Sequence, residues 1–265
     1  MRSFKVLALA SLAGWALMSL PAHADLLADI KAAKKIRIST DLTISPYGKV
    51  DDKMQPTGSD VEIAKILAKD LGVEFELVST TAATRIPNLQ TGKADIVISS
   101  LAITPARAEV VDFSVPYADQ LSVVAGPKSV NVKSIEDLEG KKVAVTRSTT
   151  QDSDLTQRAK KTQIVRYEDD ATLALAIASG QADLFGTAFA QIININAKNP
   201  SRELEAKFTL QTFFLGIGVR KNEPELKNWL DAWVKENLRN GRLNAIHKQF
   251  HGIELAPDTL KAGNS

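Results

Sequence analysis

The sequence predicts an α/β chain folded as two lobes, and three observations carry that prediction. Strand-like and helix-like segments alternate along most of its 265 residues, the pattern of α/β architecture. "LQTGKADIVIS" and "IASGQADLFGT" share one plan, a small or polar residue, Gly, Lys or Gln, then Ala-Asp and an apolar strand, which suggests two similar units. Two extended apolar segments, Leu121–Pro127 and Gln211–Val219, are placed to carry the chain between the units and back. If both cross, the first lobe holds residues 25–124 and 215–265, and the second, residues 125–214, is inserted into it.

The chain begins with "MRSFK", the apolar run "VLALASLAGWALMSL" and "PAHA". That order of basic, apolar and small residues is a secretory signal peptide over residues 1–24, too short and wrongly flanked for a membrane span. Cleavage after Ala24 would leave a chain starting at Asp25. The leader carries Arg2 and Lys5, so 31 Lys and Arg then face 31 Asp and Glu. A formally neutral chain gives no argument for nucleic acid or anionic membranes as partners. There is no cysteine, which excludes a disulfide scaffold, a cysteine nucleophile and a lipid-anchor cysteine. A signal peptide without disulfides suits a bacterial periplasm.

Asp25–Lys35 reads as a lead-in helix, followed by the strand "KIRIST" and a turn at Asp41–Gly48. In "GSDVEIAKILAKDLG", Val61, Ile63, Ile66, Leu67 and Leu71 recur near helical spacing, with Ser59 or Asp60 as cap and Gly72 as terminator. "VEFELV" alternates as a strand does. A short helix at Ile86–Gln90 leads through Gly92 into the strand "ADIVISS". "SIEDLEGKKVAVT" is a capped helical turn and a strand, ending in the turn "RSTTQDSD". "DATLALAIASGQADLFGTA" repeats helix, Gly and strand, and two amphipathic helices close the chain from Pro224 to about His251.

Arg107 is the first candidate for chemistry. Thr104 suits the N-cap of its helix and Pro105 the first position, which puts Arg107 at the third. A capping box wants Glu or Gln there, and the helix dipole costs a cation up to about 1 kcal/mol. An anion site would select it, because free helix N–H groups and a guanidinium fork both hydrogen-bond a carboxylate. A solvated arginine paired with Asp112 or Glu109 is the other reading. Likewise Thr146–Gln151 either exposes backbone donors and hydroxyls or is a plain N-cap whose Asp152 and Asp154 complement the dipole. Open α/β sheets deliver binding groups at the carboxyl ends of strands. Asp41, Ser99–Ser100 and Thr146–Gln151 all stand at such ends, which argues for one shared cleft. His247 and His251 are spaced for a metal but lack a third ligand, so a surface helix is expected and no metal. G-x-G-x-x-G, P-loop and G-x-S-x-G motifs are absent.

With these residues the chain resembles the family 3 solute-binding proteins, periplasmic receptors of polar amino-acid ABC importers. The likeness is strongest through "GSDVEIAKILAKDLGVEFELV" and "RIPNLQTGKADIVISSLAITPARAEVVDFSVPY". It continues through "DLEGKKVAVTRSTTQ", "LAIASGQADL" and "LKNWLDAWVKENLRNGRLNAIHKQFHG". The resemblance implies a type II periplasmic-binding fold with two hinge-crossing segments, closing on a small carboxylate-bearing ligand. It also implies an inner-membrane ABC permease as partner, a monomer, and no cofactor. By position, Arg107 resembles the clamp on the ligand's α-carboxylate. Ser99, Ser100 and Ala102 resemble the first-lobe bracket, Asp41 an acidic group at the cleft mouth, and Tyr47 an aromatic on the same turn. Thr149 and Thr150 resemble the second-lobe residues that complete the carboxylate site, and Thr146 a variable side-chain reader.

The departures bear on the ligand. Five residues after Asp183, where many members carry an aspartate for the α-ammonium, stands Ala188, preceded by Thr187. Ala82 or Ala83 and Ile44 stand where relatives often have larger or aromatic groups. An enclosed ammonium without a partner costs several kcal/mol. Either Asp41 or a cluster of carbonyls satisfies it, or the ligand has no α-ammonium. The expected function is the periplasmic substrate-binding component of an ABC importer. The alternatives are a dehydratase-like enzyme on the same fold and a receptor for an amine-free carboxylate.

Overall fold

Leu26–Ala33 is the first helix of the computed structural model, which describes residues 25–261; the expected signal peptide lies outside the described residues. Asp25 caps that helix, its Oδ1 accepting from the Leu27 and Ala28 N–H groups. The strand Lys35–Thr40 follows, with Glu74–Ser79 parallel on one side and Ile96–Val97 parallel on the other. Gly218–Val219 pairs antiparallel with Ile96–Val97, and Asp112–Phe113 completes a five-stranded sheet.

The second sheet has the same plan. Lys142–Thr146 lies between the parallel strands Gln163–Tyr167 and Leu184–Ala188, and Ala118–Pro127 and Leu204–Leu215 follow antiparallel. Ile96–Val97 and Leu184–Ala188, the two strands of the repeated sequence pattern, hold the same place in their sheets. Alternate residues of the second sheet feed different clusters: Val123, Ala144 and Phe185 enter one, and Val124, Val143 and Leu184 the other. A strand with both faces covered by apolar packing reads as a continuous apolar run, as these do. Leu26, Ile36, Ile63, Leu215, Trp233 and Leu243 share one core, so the two ends of the described chain meet in the first lobe.

Ala118–Pro127 and Leu204–Leu215 pair from Ala118 with Leu215 to Pro127 with Leu204, interrupted by two irregularities near Ala206 and Thr209. Their near end is tied to the first lobe. Tyr117 N–H donates to the Leu215 carbonyl at 2.9 Å, Gly216 N–H to Leu101 at 3.1 Å, and Ile103 N–H to Phe214 at 2.8 Å. By sheet membership the chain changes lobe near Tyr117–Ala118 and Leu215–Gly216. The division expected at 124/125 falls inside a continuous strand, because an apolar run does not mark where its pairing begins.

Three local expectations change. Gly58, not Ser59 or Asp60, is the N-cap of the helix Ser59–Leu71, while Gly72 ends it with φ 77°. The closing helices Pro224–Arg239 and Arg242–His251 do not leave their histidines on the surface. The His247 and His251 rings stack 4.1 Å apart, Tyr47 meets His251 edge-on at 4.7 Å, and His251 Nε2 lies 3.0 Å from Ser59 Oγ. This explains why Ser59 does not cap. A further short helix, Pro257–Lys261, follows. Among the described residues no helix is long and apolar enough to cross a membrane.

Candidate functional site

Ser100 and Ser148 lie just beyond strand ends of opposite lobes, and both hold positive φ, 39° and 63°. Such backbone costs a non-glycine residue of order 1–3 kcal/mol and persists where the surroundings fix it. At Ser100 the fixing group is Asp60, whose Oδ2 accepts the Ser100 N–H at 2.6 Å and whose Oδ1 accepts the Tyr117 hydroxyl at 2.9 Å. At Ser148 it includes Asp152, whose Oδ2 accepts the Ser148 N–H at 3.1 Å. The freed Ser148 carbonyl faces Arg107.

Arg107 lies on a single helical turn, Pro105–Ala108, with Thr104 Oγ1 accepting its N–H at 3.3 Å. One turn has little dipole, so the penalty expected for a cation there is small. Its side chain does not pair with Asp112, which binds Lys221 at 2.7 Å. Instead Nη1 donates to the Ala102 carbonyl at 3.0 Å, and Nη2 crosses to the Ser148 carbonyl at 3.1 Å. Burial, with Arg85 adding repulsion, lowers its pKa to about 9. Among the described residues the half-buried guanidinium meets carbonyl dipoles and no carboxylate, which is how one awaiting an anion is disposed.

Around it lies a cavity between the lobes. Asp41, Ser100, Ala102 and Arg107 line it from the first lobe with Ile44, Ala82 and Arg85, and Thr146, Thr149, Thr150 and Thr187 line it from the second with Asp170, Ala188 and Gln191. The cavity is small, about 20 Å³. The lobes therefore stand close together, and a small solute needs them to part.

Ser99 and Tyr47, also predicted for the site, do not line the cavity. Ser99 supports it: its Oγ accepts the Asp41 N–H at 3.0 Å. Tyr47 is buried in the first lobe because its turn folds down onto the helix start. A Cβ on Gly48 would stand 2.0 Å from the Asp41 carbonyl oxygen, and one on Gly58 2.3 Å from that of Tyr47. Asp41 Oδ1 is taken by the Thr43 N–H and hydroxyl at 2.8 and 2.7 Å. Burial raises its pKa, against the pull of Thr43 and Arg85. Thr149 spends its hydroxyl as an N-cap, accepting from Asp152 N–H and donating to the Thr146 carbonyl. What remains for a ligand is the backbone N–H at the start of the helix Thr150–Arg158.

Arg85 and Asp170 went unread in the sequence. Arg85 is buried, with Nη1 donating to the Ser99 carbonyl at 2.6 Å and Nε to that of Ala82 at 3.4 Å. Burial lowers its pKa, while Asp41, Asp170 and Asp60 hold it up. Asp170 is the first residue of the helix Asp170–Ala178, whose N-cap is Asp169. Burial and the Asp41 carboxylate raise its pKa to about 7, against Thr146, Arg85 and Gln191. A signal was present: in "EDDA" only one aspartate can cap, which leaves the other free to point elsewhere. Among the described residues no group of three or more His, Cys, Asp or Glu could hold a metal ion.

The profile of the bacterial extracellular solute-binding proteins, family 3, matches residues 36–253. The glutamine-binding ABC transporter protein GlnH of Bacillus subtilis (strain 168) is 31% identical over 232 residues, covering 85% of this chain and 84% of its own. The L-cystine-binding protein TcyJ of Escherichia coli (strain K12) is 28% identical and covers 94% of each chain. Among solved structures, a mutant of ArgBP from T. maritima superposes with a TM-score of 0.80 at 30% identity, covering 86% of this chain and all of that one. An ancestral amino acid-binding protein, described as a precursor of cyclohexadienyl dehydratase, has a TM-score of 0.78 at 34% identity, covering 85% and 99%.

Proposed function

Because the chain belongs to the bacterial extracellular solute-binding proteins of family 3, we propose that it captures an amino acid between its lobes for the membrane permease of an ABC importer. The observation that carries this reading is Arg107, half-buried at the cleft, whose guanidinium, among the described residues, donates to the Ala102 and Ser148 carbonyls and to no carboxylate. A ligand carboxylate would exchange these carbonyls for a bidentate ion pair in which both donor and acceptor are charged. Thr149 and Thr150 would add backbone donors from the second lobe, and Ser100 would bracket the ligand from the first. Closure excludes water and strengthens every one of these contacts. The lobes would swing about the paired strands Ala118–Pro127 and Leu204–Leu215, which join residues 25–117 and 216–261 to the segment between. The protein would work as a monomer in the periplasm, reached through its signal peptide.

The test is a thermal-shift panel of the twenty amino acids and L-cystine, followed by calorimetry. A ligand at 100 times its Kd adds about 2.7 kcal/mol of stability. Arg107→Ala should weaken binding about thirtyfold or more, the equivalent of roughly 2 kcal/mol at the low end for a buried charge pair, with the fold kept. Unchanged affinity would remove the clamp. One feature favours a catalytic use of the cleft: Asp170, with a pKa near 7, is poised as a general acid. Turnover of the bound ligand, followed by NMR, separates that reading from transport.

A further inference from the structure

Three side-chain oxygens on the second-lobe wall of the cleft make no hydrogen bond of good geometry, Asp170 Oδ2, Thr146 Oγ1 and Thr187 Oγ1, although Thr146 and Gln191 come near enough to the Asp170 carboxylate to lower its pKa. Their residues are 7%, 1% and 4% exposed, and all three line the same cavity. A buried polar atom left unpaired is costly, so three on one wall are not explained by packing. They come from separate elements, the end of Lys142–Thr146, the neighbouring strand Leu184–Ala188 and the start of Asp170–Ala178.

What these atoms can share is a donor. An ionised carboxylate only accepts, hydroxyls accept as well as donate, and an ammonium brings three donors and no acceptor. The charges around the cleft lead to the same chemistry. With a ligand carboxylate on Arg107, the buried charges that remain are Arg85 against Asp41, Asp60 and Asp170. Asp60 is occupied by Ser100 and Tyr117, and Asp41 Oδ1 by Thr43. Of the oxygens left open on Asp41 and Asp170, Asp170 Oδ2 is the one fully shut off from solvent, on the wall that also carries the Thr146 and Thr187 hydroxyls.

We infer that Asp170, with the Thr146 and Thr187 hydroxyls, forms an ammonium subsite in this cleft, supplying from a helix start the negative charge that Ala188 does not. The ligand class is then an α-amino acid and not an amine-free carboxylate. This rests on the reading that the ligand's carboxylate sits on Arg107.

Calorimetry on the wild type, Asp170→Asn and Arg107→Ala tests it, using L-glutamine with glutaramate, and L-arginine with 5-guanidinopentanoate, after the twenty-amino-acid panel has been screened. In each pair the second compound lacks only the α-amino group. The wild type should bind an amino acid about thirtyfold or more tighter than its amine-free counterpart, and Asp170→Asn should abolish that difference. The variant should still bind the amine-free acid within about threefold of the wild type, which also reports that it folds. Wild-type preference for the amine-free acids, or an Asp170→Asn variant that binds amino acids undiminished, overturns the subsite while leaving the Arg107 clamp standing. Binding that is indifferent to Arg107→Ala, or no binding by any compound, removes the reading beneath it and the subsite together.

Discussion

Arg85 holds its charge inside the first lobe on the carbonyls of Ser99, Ser100 and Ala82. Replacing it with methionine keeps most of the volume but leaves the Ser99 carbonyl without its 2.6 Å donor and three acids without their shared cation. Removing one partner from a buried ionic group costs about 3–5 kcal/mol. Urea unfolding of Arg85→Met should show a loss of that size, and one below about 1 kcal/mol would mean the acids simply take up protons. The two arginines also mark what a sequence can disclose about a site. Arg107 drew notice because it stands where a capping box wants Glu or Gln; the single turn observed has little dipole, so what marks it in the structure is its place on the cleft wall. Arg85 drew none, because "RIPNL" is an ordinary helix start and its acceptors come from residues 99 and 100, fourteen and fifteen positions away. Asp170 lies between these cases: the doubled aspartate was visible, but its direction depends on which of the pair caps.

Most elements were legible from periodicity and punctuation, whereas side-chain direction in the turns was not. The turn Asp41–Gly48 places Asp41 at the cleft and Tyr47 in the core, and close packing of glycine against backbone sets that arrangement. A methyl group on Gly48 would meet a carbonyl oxygen 2.0 Å away, with no flexible side chain to move aside. Overpacking typically costs about 1–3 kcal/mol, and a backbone collision belongs at the upper end. Gly48→Ala should therefore lose about 3 kcal/mol in thermal or urea melts and weaken ligand binding, because Asp41 shifts with the turn. Gly72→Ala is the contrast. It meets nothing within 4 Å and has only its φ of +77° against it, so it should cost about 1 kcal/mol and leave binding intact. Equal effects from the two substitutions would show that close approach is not what holds the turn. No periodic pattern encodes such an approach, which is why Tyr47 was expected at the site and lies behind it.

At the scale of the whole molecule, the repeated Gly-x-Ala-Asp pattern foretold two sheets of one plan, but not the titrating groups buried in each lobe. Asp60 in the first lobe and Asp170 in the second both have pKa values raised to about 7, chiefly by burial. Between their ordinary value of 3.8 and 7, the folded state holds protons that the unfolded chain releases. These acids therefore make stability fall as pH rises through that window, with no further change above it. The histidines act in the opposite sense. Burial and its neighbour His247 lower the His251 pKa to about 3, and burial lowers that of His247, so the unfolded chain binds the protons and stability rises with pH up to about 6.5. Each group contributes at most about 1.4 kcal/mol per pH unit. Between pH 5 and 6.5 the acids and the histidines oppose each other, so the wild-type slope is shallower than either set alone would give. Single substitutions should expose the hidden slopes. His251→Phe, measured by melting temperature, should become more stable on going from pH 7 to pH 5, and Asp60→Asn should become less stable over the same interval. If both variants follow the wild-type profile, the buried groups do not titrate as their surroundings dictate. The balance would then lie elsewhere, among the exposed charges.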